Sequence, residues 1–534
     1  MQAAPDERTL FGHPPALFVL FFTELWERFS FYGMRALLVL FMTKEFLFGD
    51  EQAYGVYAAY GSLVYTAPIV GGLLAERYLG YRHSIILGAV LMTLGHLTLG
   101  LEPLVAGSDS AMLASLDESK ALFYGALALL IIGNGFFKPT ISSLVGKLYP
   151  EGDTRRDGAF TIFYMGINVG AFLAPLVCGY LGETWGWHWG FGAAGVGMAA
   201  GLVNFLAYQS RFGEHGMPPS RHGRPPTMRP DLQILTCWVG AFLAVVPVTL
   251  LVRFPEMLGD GLVVVGVIVL AALLGIAFTS PPVERDRMFV VTVLILFSVM
   301  FWAFFEQAGS SINLFTERNV NRSIGGFEAP TTWGQSINAF FIVALAIPFS
   351  RMWTRLAELG RDPSPGVKFA IALIQLGAGF LILAASGWFA DAAGRVPLIF
   401  LILGYLLHTT GELCLSPVGL AMISRLSPAR MVGFVMGAWF LSSAFAHYIA
   451  GLIASLTGVG GEDDAADALA EAVPGLEEGA VTEAIAEAVH APDALASLEA
   501  YTSVFGTIGL VAIGTGVLLF AISPLLRHWT HDAT

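Results

Sequence analysis

Several charged side chains stand inside stretches of sequence that are otherwise apolar. The first such stretch contains Glu24, Glu27, Arg28 and Arg35, with Tyr32 among them. Positions 24, 27, 28, 31 and 35 recur at helical spacing, so they share one face of a helix. A structural ion cluster is the simplest interpretation of the first three charges, because buried ion networks need no function. The alternative is that this face lines a polar cavity, which Arg35 favours because it has no acid within one helical turn in the sequence.

Lys138 is a further ionisable residue inside an apolar stretch, and Pro139 follows it directly. A proline inside a helix frees a backbone carbonyl and bends the helix. A lysine near a helix end can extend its ammonium to the membrane surface. The inside end of this stretch, however, is at Lys147, nine residues further on. We therefore predict that Lys138 binds an anionic group of a substrate.

Two isolated acids, Glu306 and Glu412, stand in apolar stretches of the second half of the chain. An ionisable group at the centre of a membrane costs at least about 2.5–3.5 kcal/mol on insertion scales, so it usually has a partner or a function. The alternative for each is a silent, protonated packing residue. His408 lies one helical turn before Glu412, and we expect a backbone carbonyl to satisfy it.

The sign of these charges differs between the two halves of the chain. Arg35 and Lys138 are cations in the first half, whereas Glu306 and Glu412 are anions in the second. A cavity between the halves would attract a carboxylate at one wall and an ammonium at the other, which predicts a zwitterionic ligand. Aromatic residues that can form pockets between these ends are Tyr32, Tyr65, Trp302, Phe304 and Trp439.

The composition indicates which elements must position these residues. Of the 534 residues, 55% are apolar and 13% are charged, whereas soluble proteins carry about 25% charged residues. The sequence therefore predicts a polytopic membrane protein and excludes a soluble enzyme, a disordered scaffold and a nucleic-acid binder. Three scattered cysteines are too few for a disulfide framework or a metal cluster.

The net charge of −13 is a local property of the chain. Eleven of the 41 acids lie between Glu462 and Glu499, a stretch that contains no Lys or Arg. Without it the net charge is −2, so the acidity says nothing about a transport path. We expect this Ala/Glu-rich insert to lie outside the cell, between the last two spans, where its pattern can form surface helices.

Fourteen stretches are long and apolar enough to cross a membrane, since a spanning helix needs about 20 such residues. Their order of six, two and six predicts an all-α polytopic membrane protein of the major facilitator fold, with two six-helix bundles and two additional helices. The predicted domains are a cytoplasmic N-terminus (1–14), an N-terminal bundle (15–210), a linker (211–287) with additional helices at 231–252 and 260–280, a C-terminal bundle (288–527) with an extracytoplasmic insert (460–499), and a tail (528–534). We expect the additional pair to pack outside both bundles and to line no cavity.

The charges of the loops predict the orientation. With both termini in the cytoplasm, 19 Lys and Arg residues fall in the tails and inside loops and 6 fall outside, as the positive-inside rule requires of a protein of the cell membrane. The loop after the second span carries Glu76 and Arg77 within Gly71–Gly80. Its glycines let helices approach closely, and the charged pair at a helix end is a candidate gate. An ordinary basic inside loop is the alternative.

Seven stretches resemble, in order, the signatures of the proton-coupled oligopeptide transporter (POT) family of the major facilitator superfamily. They are Glu24–Gly33, Gly71–Gly80, Phe160–Pro175, Phe301–Gln307, Gln335–Asn338, Gly411–Gly419 and Gly437–Leu441. The resemblance covers residues 15–458 and 500–526, and the two additional spans resemble a helix pair that bacterial members insert between the bundles.

The resemblance implies a symporter that imports di- and tripeptides by alternating access and is not an enzyme. Arg35 and Lys138 would hold the peptide carboxylate, and Glu412 would hold its amino terminus. The other residues implied to bind substrate are Tyr32, Tyr65, Asn168, Trp302, Asn338, Ser416 and Trp439. Beyond peptides, protons and lipid we expect no partner, neither nucleic acid nor an obligate protein.

The resemblance also implies that carboxylates couple transport to protons. Glu24, Glu27 and Glu306 would take part, with Arg28 beside the first two, and the proton gradient would supply the energy without a cofactor. Deprotonated Glu306 is expected to pair with Arg35 and hold the two halves together at the outside. Protonation of Glu306, or a peptide carboxylate that competes for Arg35, would release the pair.

The sequence departs from the family pattern in two motifs. Phe31 stands where the family has a tyrosine, which removes one phenol, and Glu76 replaces the usual aspartate of the loop. Spans 1 and 2 contain no histidine, so coupling should rest on carboxylates.

Three other functions remain open from the sequence. Nitrate transport would leave Glu412 without a cationic partner, and drug export would not need both Arg35 and Lys138. A sensor that binds peptides without transporting them gives no reason for the additional acids.

Overall fold

The computed structural model describes residues 9–105, 112–150, 152–218, 230–458 and 494–531, which are almost entirely helical. Helices are the expected solution, because an apolar chain in lipid must satisfy its own backbone hydrogen bonds. Most of the predicted acidic insert lies outside the described residues, so its placement and its surface helices stay predictions. The described residues contain seventeen α-helices, which we number α1–α17 in chain order.

The chain forms two compact units, and neither is a continuous piece of sequence. One comprises Met1–Leu37 and Leu63–Arg253, and the other Leu38–Ser62 and Phe254–Thr534. The middle of α1 and the middle of α2 are therefore the points where the chain passes from one unit to the other. The domain boundaries predicted from the sequence stay a prediction.

The first unit contains most of α1 and the second half of α2 together with seven complete helices. Its helices are α1 (Pro15–Lys44), α2 (Asp50–Leu74), α3 (Gly80–Val105), α4 (Met112–Lys147), α5 (Arg155–Ala174), α6 (Tyr180–Trp185), α7 (Trp187–Tyr208), α8 (Pro230–Leu243) and α9 (Val245–Arg253). Two π-helical turns, Ala75–Leu79 and Pro175–Gly179, continue α2 and α5. Gly80 then ends the first of them with a φ of +71°, a conformation that disfavours residues with a side chain.

The second unit contains the remaining eight helices and four very short strands. Its helices are α10 (Pro255–Thr279), α11 (Pro282–Phe305), α12 (Ser311–Asn319), α13 (Trp333–Glu358), α14 (Pro365–Ala385), α15 (Leu398–Leu426), α16 (Val432–Ser455) and α17 (Ala494–Trp529). Strand β1 (Val320–Asn321) pairs in parallel with β4 (Val396–Pro397), and β2 (Ser323–Ile324) pairs antiparallel with β3 (Phe327–Glu328). Each pairing is a two-stranded sheet with two residues per strand, and all four strands lie in the segments that connect helices.

Twelve helical stretches of the described residues are long and apolar enough to cross a membrane. One of them, Asp50–Leu101, is 52 residues long and contains both α2 and α3. Helix α1 is not among the twelve, and it carries Glu24, Glu27, Arg28 and Arg35 along its length. The predicted count of fourteen spans stays a prediction. It exceeds twelve because it counts α1 as a span and counts α2 and α3 separately.

The additional pair predicted at 231–252 and 260–280 corresponds to the candidate spans Asp231–Arg253 and Pro255–Thr279. The expectation that this pair lines no cavity is wrong. Side chains of α8 and α9 form one wall of a cavity of about 740 Å³ in the first unit. The sequence did not reveal the cavity, because most of its lining residues are apolar or small, with Thr66, Gln233 and Thr236 among the few polar ones, and the expectation rested on the scarcity of polar residues in this pair.

Helices α2 and α4 cross at a point where neither helix has a side chain. A Cβ added to Gly71 would lie 2.1 Å from the carbonyl oxygen of Gly135, and one added to Gly135 would lie 2.8 Å from the Cβ of Ala67. Close packing of this kind depends on small residues in membrane helices. The crossing matters because Tyr65 and Lys138 lie within one turn of it, on the same two helices.

Candidate functional site

Helix α1 buries an ion cluster in the first unit. Arg28 donates two hydrogen bonds to the Glu27 carboxylate, from Nε at 2.5 Å and Nη2 at 2.6 Å, and its Nε lies 3.5 Å from Glu24 Oε1. All three side chains are at most 2% exposed. The clustering predicted from their spacing is therefore present. Two acids share one guanidinium, so the cluster can hold an extra proton.

Helix α4 contacts this cluster through two side chains. Asn134 donates a hydrogen bond from Nδ2 to Glu27 Oε1 at 3.4 Å. One turn further on, Lys138 is close enough to interact electrostatically with Glu24. The Lys138 ammonium lies 5.1 Å from the centroid of the Tyr65 ring on α2, within range of a cation–π contact. The structure thus brings the predicted anion-binding lysine and the predicted relay acids together.

The remaining predicted substrate residues of the first unit are half-buried. Tyr32 packs edge-on against Phe31, with 5.2 Å between ring centroids, and Arg35 lies one turn further along α1. Asn168 donates its side-chain NH₂ to the Tyr164 carbonyl of its own helix, α5, at 2.9 Å. A partly exposed amide can exchange such a local bond for one to a ligand, so this contact leaves its predicted role open.

The predicted gate residues, Glu76 and Arg77, are exposed in the π-helical turn that follows α2. The Arg77 guanidinium carbon lies 5.7 Å from the centroid of the Tyr78 ring. A second pair stands just before α5, where hydrogen bonds from Arg155 hold the pKa of Asp153 to about 2. Asp153 therefore stays ionised over the physiological pH range, which excludes it as a coupling group.

In the second unit, Glu412 is hydrogen-bonded by a residue from a neighbouring helix. Asn338 on α13 donates from Nδ2 to Glu412 Oε2 at 3.1 Å and to the Thr409 hydroxyl oxygen at 3.0 Å. The Glu412 side chain remains partly exposed. Asn338 and Glu412, two of the predicted substrate residues, are therefore in direct contact. The amide fixes one carboxylate oxygen and leaves the other available for a cation.

Glu306 is buried at the end of α11, where the chain turns into a 3₁₀ segment, Glu306–Gly309. Its Oε2 lies 3.5 Å from Nε2 of His447 on α16. The other ring nitrogen, Nδ1, lies 2.8 Å from the Ser443 carbonyl oxygen, which can only accept. Nδ1 must therefore carry a proton, and Nε2 carries one only when the imidazole is charged. Glu306 and His447 thus share one titratable proton across their contact.

His447 was not among the residues predicted from the sequence, where the histidines considered were those of spans 1 and 2 and the one beside Glu412. The signal was present, since His447 is a polar residue inside the apolar stretch 430–458. His408, in contrast, hydrogen-bonds the backbone at Leu376 and packs on Phe380, with 4.5 Å between ring centroids. The expectation that a backbone group satisfies His408 is met at one ring nitrogen only, since the buried Nε2 has no hydrogen-bond partner within the described residues.

Three other predicted substrate residues lie on helices of the second unit. Trp302 packs edge-on against Phe301 and Phe305, with ring centroids 5.4 and 5.2 Å away. Trp439 is buried where α16 meets α15, and a Cβ added to Gly419 would lie 2.5 Å from its ring. The buried Ser416 hydroxyl has no hydrogen-bond partner within the described residues. These packing contacts are also compatible with a purely structural role.

Two ion pairs that were not predicted from the sequence hold segment 38–62 within the second unit. Arg318 on α12 donates from both terminal nitrogens to the Asp50 carboxylate, at 2.6 and 2.7 Å, and its Nη1 also contacts the Tyr501 hydroxyl at 3.2 Å. Lys44 pairs with Glu317, the residue before Arg318. A single sequence does not show which opposite charges meet in the fold.

Polytopic helices that bury ionisable residues within a transmembrane core are typical of membrane transporters. No group of three or more metal-ligating side chains is present in the part of the chain that the structure describes. The site that the geometry does offer consists of buried carboxylates and cations with amide and aromatic neighbours.

The chain belongs to the POT family, whose model matches residues 82–467. It is therefore a secondary transporter and not an enzyme, and its spans make it an integral membrane protein.

Relatives of known name agree with this membership. The peptide transporter YePEPT of Yersinia enterocolitica is 38% identical over 475 residues, which cover 84% of this chain and 89% of the relative. The dipeptide and tripeptide permease B of Xenorhabdus bovienii is 31% identical over 519 residues, 97% of each chain. Crystal structures of a peptide transporter POT with sulfate, and of its mutant with alafosfalin, share 34% identity and a TM-score of 0.76, covering 98% of this chain and 97% of theirs.

Proposed function

We propose that the chain is a proton-coupled symporter that imports di- and tripeptides by alternating access, in the cell membrane with both termini cytoplasmic. The names of its relatives, a peptide transporter and a dipeptide and tripeptide permease, support the substrate class. The proton gradient supplies the energy, and no cofactor takes part.

The observation that carries the proposal is the environment of Glu412. Asn338 donates to one carboxylate oxygen, and the partly exposed side chain keeps a second oxygen for a ligand. A carboxylate held in this way binds an ammonium by charge-assisted hydrogen bonds. In the first unit, Lys138 offers a cation next to the Tyr65 ring. A peptide presents these two charges at its two ends, with Arg35 beside Lys138 at the carboxylate and Asn168 and Asn338 at the backbone.

Two groups of carboxylates carry the proton in this proposal. Glu24 and Glu27 share Arg28, so that protonation of one acid leaves the cluster neutral. Glu306 exchanges its proton with His447, which gives this acid a partner beyond the proposed Arg35 contact. A proton that moves between Glu306 and His447 converts a neutral pair into an ion pair, and this change is the local event that we couple to substrate release.

The experiment that tests the proposal uses the purified full chain in proteoliposomes. Uptake of a labelled dipeptide should be driven by an inward proton gradient and abolished when a protonophore removes the gradient. Counterflow of the same dipeptide should persist without the gradient, because exchange needs no net proton movement. Binding without counterflow would favour a sensor, and uptake of nitrate but not of dipeptide would overturn the substrate class.

A second measurement tests the carboxylate end separately. A dipeptide blocked as its C-terminal ester should compete much more weakly than the free acid, since Arg35 and Lys138 lose the anion that they contact. An ester that competes as well as the acid would remove both cations from substrate binding.

A further inference from the structure

A cavity of about 740 Å³ lies in the first unit between α2, α4 and the helix pair α8–α9. Its volume is within the usual range for sites that bind small molecules, about 300–1,000 Å³. None of the predicted substrate or coupling residues lines it. The cavity is therefore separate from the candidate transport site, although it shares two helices with that site.

The cavity exists because α8 packs closely against the rest of the first unit at two places, and small residues lie between them. At one place α8 packs beside Leu79, and the core that includes Ile132 and Phe136 extends to Ala241. Between these contacts several lining residues are small, namely Ala67, Gly71, Gly135, Gly240 and Ala244, and a Cβ added to Gly240 would meet nothing within 4 Å. The space is thus a consequence of side-chain size, and a single large side chain can fill it.

Lipid hydrocarbon is the medium around this cavity. The outer side of the α8–α9 span is apolar and exposed, as at Leu235, Leu243 and Val246, and only 6% of its most apolar stretch is buried. The part of α2 that lines the cavity runs from Leu63 to Leu74, about 17 Å at the rise of a helix. This length is close to one leaflet of the hydrocarbon core, about 15 Å.

Cationic side chains gather at the end of the cavity that the loop charges predict to be cytoplasmic. Tyr78 lines this end, and the exposed Arg77 guanidinium lies over its ring. Lys147 lies over the neighbouring Tyr81 ring, with its ammonium 4.6 Å from the centroid. Two acids, Glu76 of the same turn and Asp231 in the first turn of α8, also lie at this end. Basic side chains at this depth attract anionic lipid headgroups.

We propose that this cavity binds one acyl chain of an anionic phospholipid, whose phosphate lies at Arg77. The acyl chain passes between α8–α9 and the crossing of α2 with α4. The two additional helices then have a function that their lack of polar residues does not suggest, since they complete a lipid site on the outer side of the helices that carry Tyr65 and Lys138.

The bound acyl chain should also influence the transport site, and this part rests on the proposed function. Thr66 and Ala67 line the cavity next to Tyr65, and Gly135 lines it one turn before Lys138. An acyl chain that fills the cavity packs against α2 and α4 on their cavity-lining faces. It thereby favours the positions of the two helices at which Tyr65 and Lys138 meet. Loss of the lipid should therefore weaken peptide binding without removing any group that touches the peptide.

Photo-crosslinking tests the lipid site without reference to transport. The full chain is reconstituted in phosphatidylcholine vesicles that contain phosphatidylglycerol with a diazirine in one acyl chain, irradiated, and digested for peptide mapping. We expect the label to concentrate on residues 63–78 and 233–248. Gly240→Phe should reduce that label at least fivefold. Gly261→Phe, on α10 at a glycine whose added Cβ also meets nothing within 4 Å, should leave it unchanged.

The controls separate the parts of the proposal. Ala244→Phe is a second variant that fills the cavity, and monodisperse elution of all three variants excludes misfolding. Phosphatidylethanolamine with the same diazirine chain should label the two segments several-fold less, and Arg77→Gln should remove this preference. Label spread equally over 231–253 and 255–279, or unchanged by both cavity-filling variants, would overturn the site. Equal labelling by the two headgroups would overturn the anionic phosphate.

Discussion

At the scale of single residues, Lys138 is the cation whose replacement should be most informative. It combines a cation–π contact to Tyr65 with an electrostatic contact to Glu24. Lys138→Ala should abolish proton-driven dipeptide uptake, because the peptide carboxylate and the relay acids both lose their neighbouring charge. Lys120→Ala, near the other end of the same helix, serves as the matched control for removal of a lysine from α4. Uptake that survives Lys138→Ala would exclude this lysine from both roles.

Glu412→Gln separates an ammonium-binding role from a structural one. Glutamine keeps the shape and can still accept from Asn338, but it has no charge. Affinity for peptides with a free amino terminus should fall at least tenfold, which corresponds to about 1.4 kcal/mol. Affinity for N-acetylated peptides, which is measured by competition, should change little. Equal losses for the two kinds of peptide would contradict the ammonium assignment.

His447 and Glu306 should behave as one proton-exchanging pair. Glu306→Gln and His447→Gln should each abolish pH-driven uptake and retain counterflow, since neither amide can exchange a proton at the working pH. Glu27→Gln should do the same at the other cluster. His408→Gln is the matched control, because that imidazole is buried in the same unit but hydrogen-bonds a backbone group. Proton-driven uptake that remains intact in the Glu27 and Glu306 variants would assign coupling to another group.

Residue types and spacing predicted the composition of these clusters but not all of their contacts. Glu24, Glu27 and Arg28 were expected to meet because helical spacing places them on one face of α1. Asn338 and Glu412 were assigned by resemblance, and the structure adds the hydrogen bond between them. The contact between His447 and Glu306 joins residues 141 positions apart, and a single sequence contains no information about such pairs.

At the scale of helices, the crossing of α2 and α4 limits what α4 can tolerate. An alanine Cβ at Gly135 would lie 2.8 Å from Ala67, whereas one at Gly125 on the same helix meets nothing within 4 Å. Gly125→Ala should therefore be neutral or raise stability by about 0.4–1 kcal/mol. Gly135→Ala should lower it by about 1–3 kcal/mol through overpacking. Thermal unfolding in detergent measures both, and equal midpoints would contradict the close crossing.

The existence of the helices was predictable from the sequence, whereas the packing of small residues was not. Length and hydropathy predicted helices at nearly all the observed positions, because each apolar stretch must satisfy its own backbone. The cavity beside α8–α9 depends instead on where glycine and alanine face each other across three helices. The expectation of no cavity failed for that reason, since hydropathy does not distinguish a filled interface from an open one.

At the scale of the whole molecule, two ion pairs tie segment 38–62 to later helices. Removal of one partner from a buried pair costs about 3–5 kcal/mol, and Asp50 is 3% exposed. Asp50→Asn and Arg318→Gln should each lower the unfolding temperature and the rate of uptake. The exchange Asp50→Arg with Arg318→Asp should recover part of both. A double variant no better than the singles would show that the charges do not act as a pair.

The passage of α1 and α2 from one unit to the other has a consequence for dividing the chain. A fragment that ends at Arg253 would contain residues 38–62 without Glu317, Arg318 and Tyr501, which they contact. The complementary fragment from Phe254 would expose those same partners. Two halves produced from separate genes should therefore be insoluble or degraded when each is made alone, and should accumulate only when both are synthesised in the same cell. A functional split transporter requires co-expression, whichever loop is cut between the two bundles.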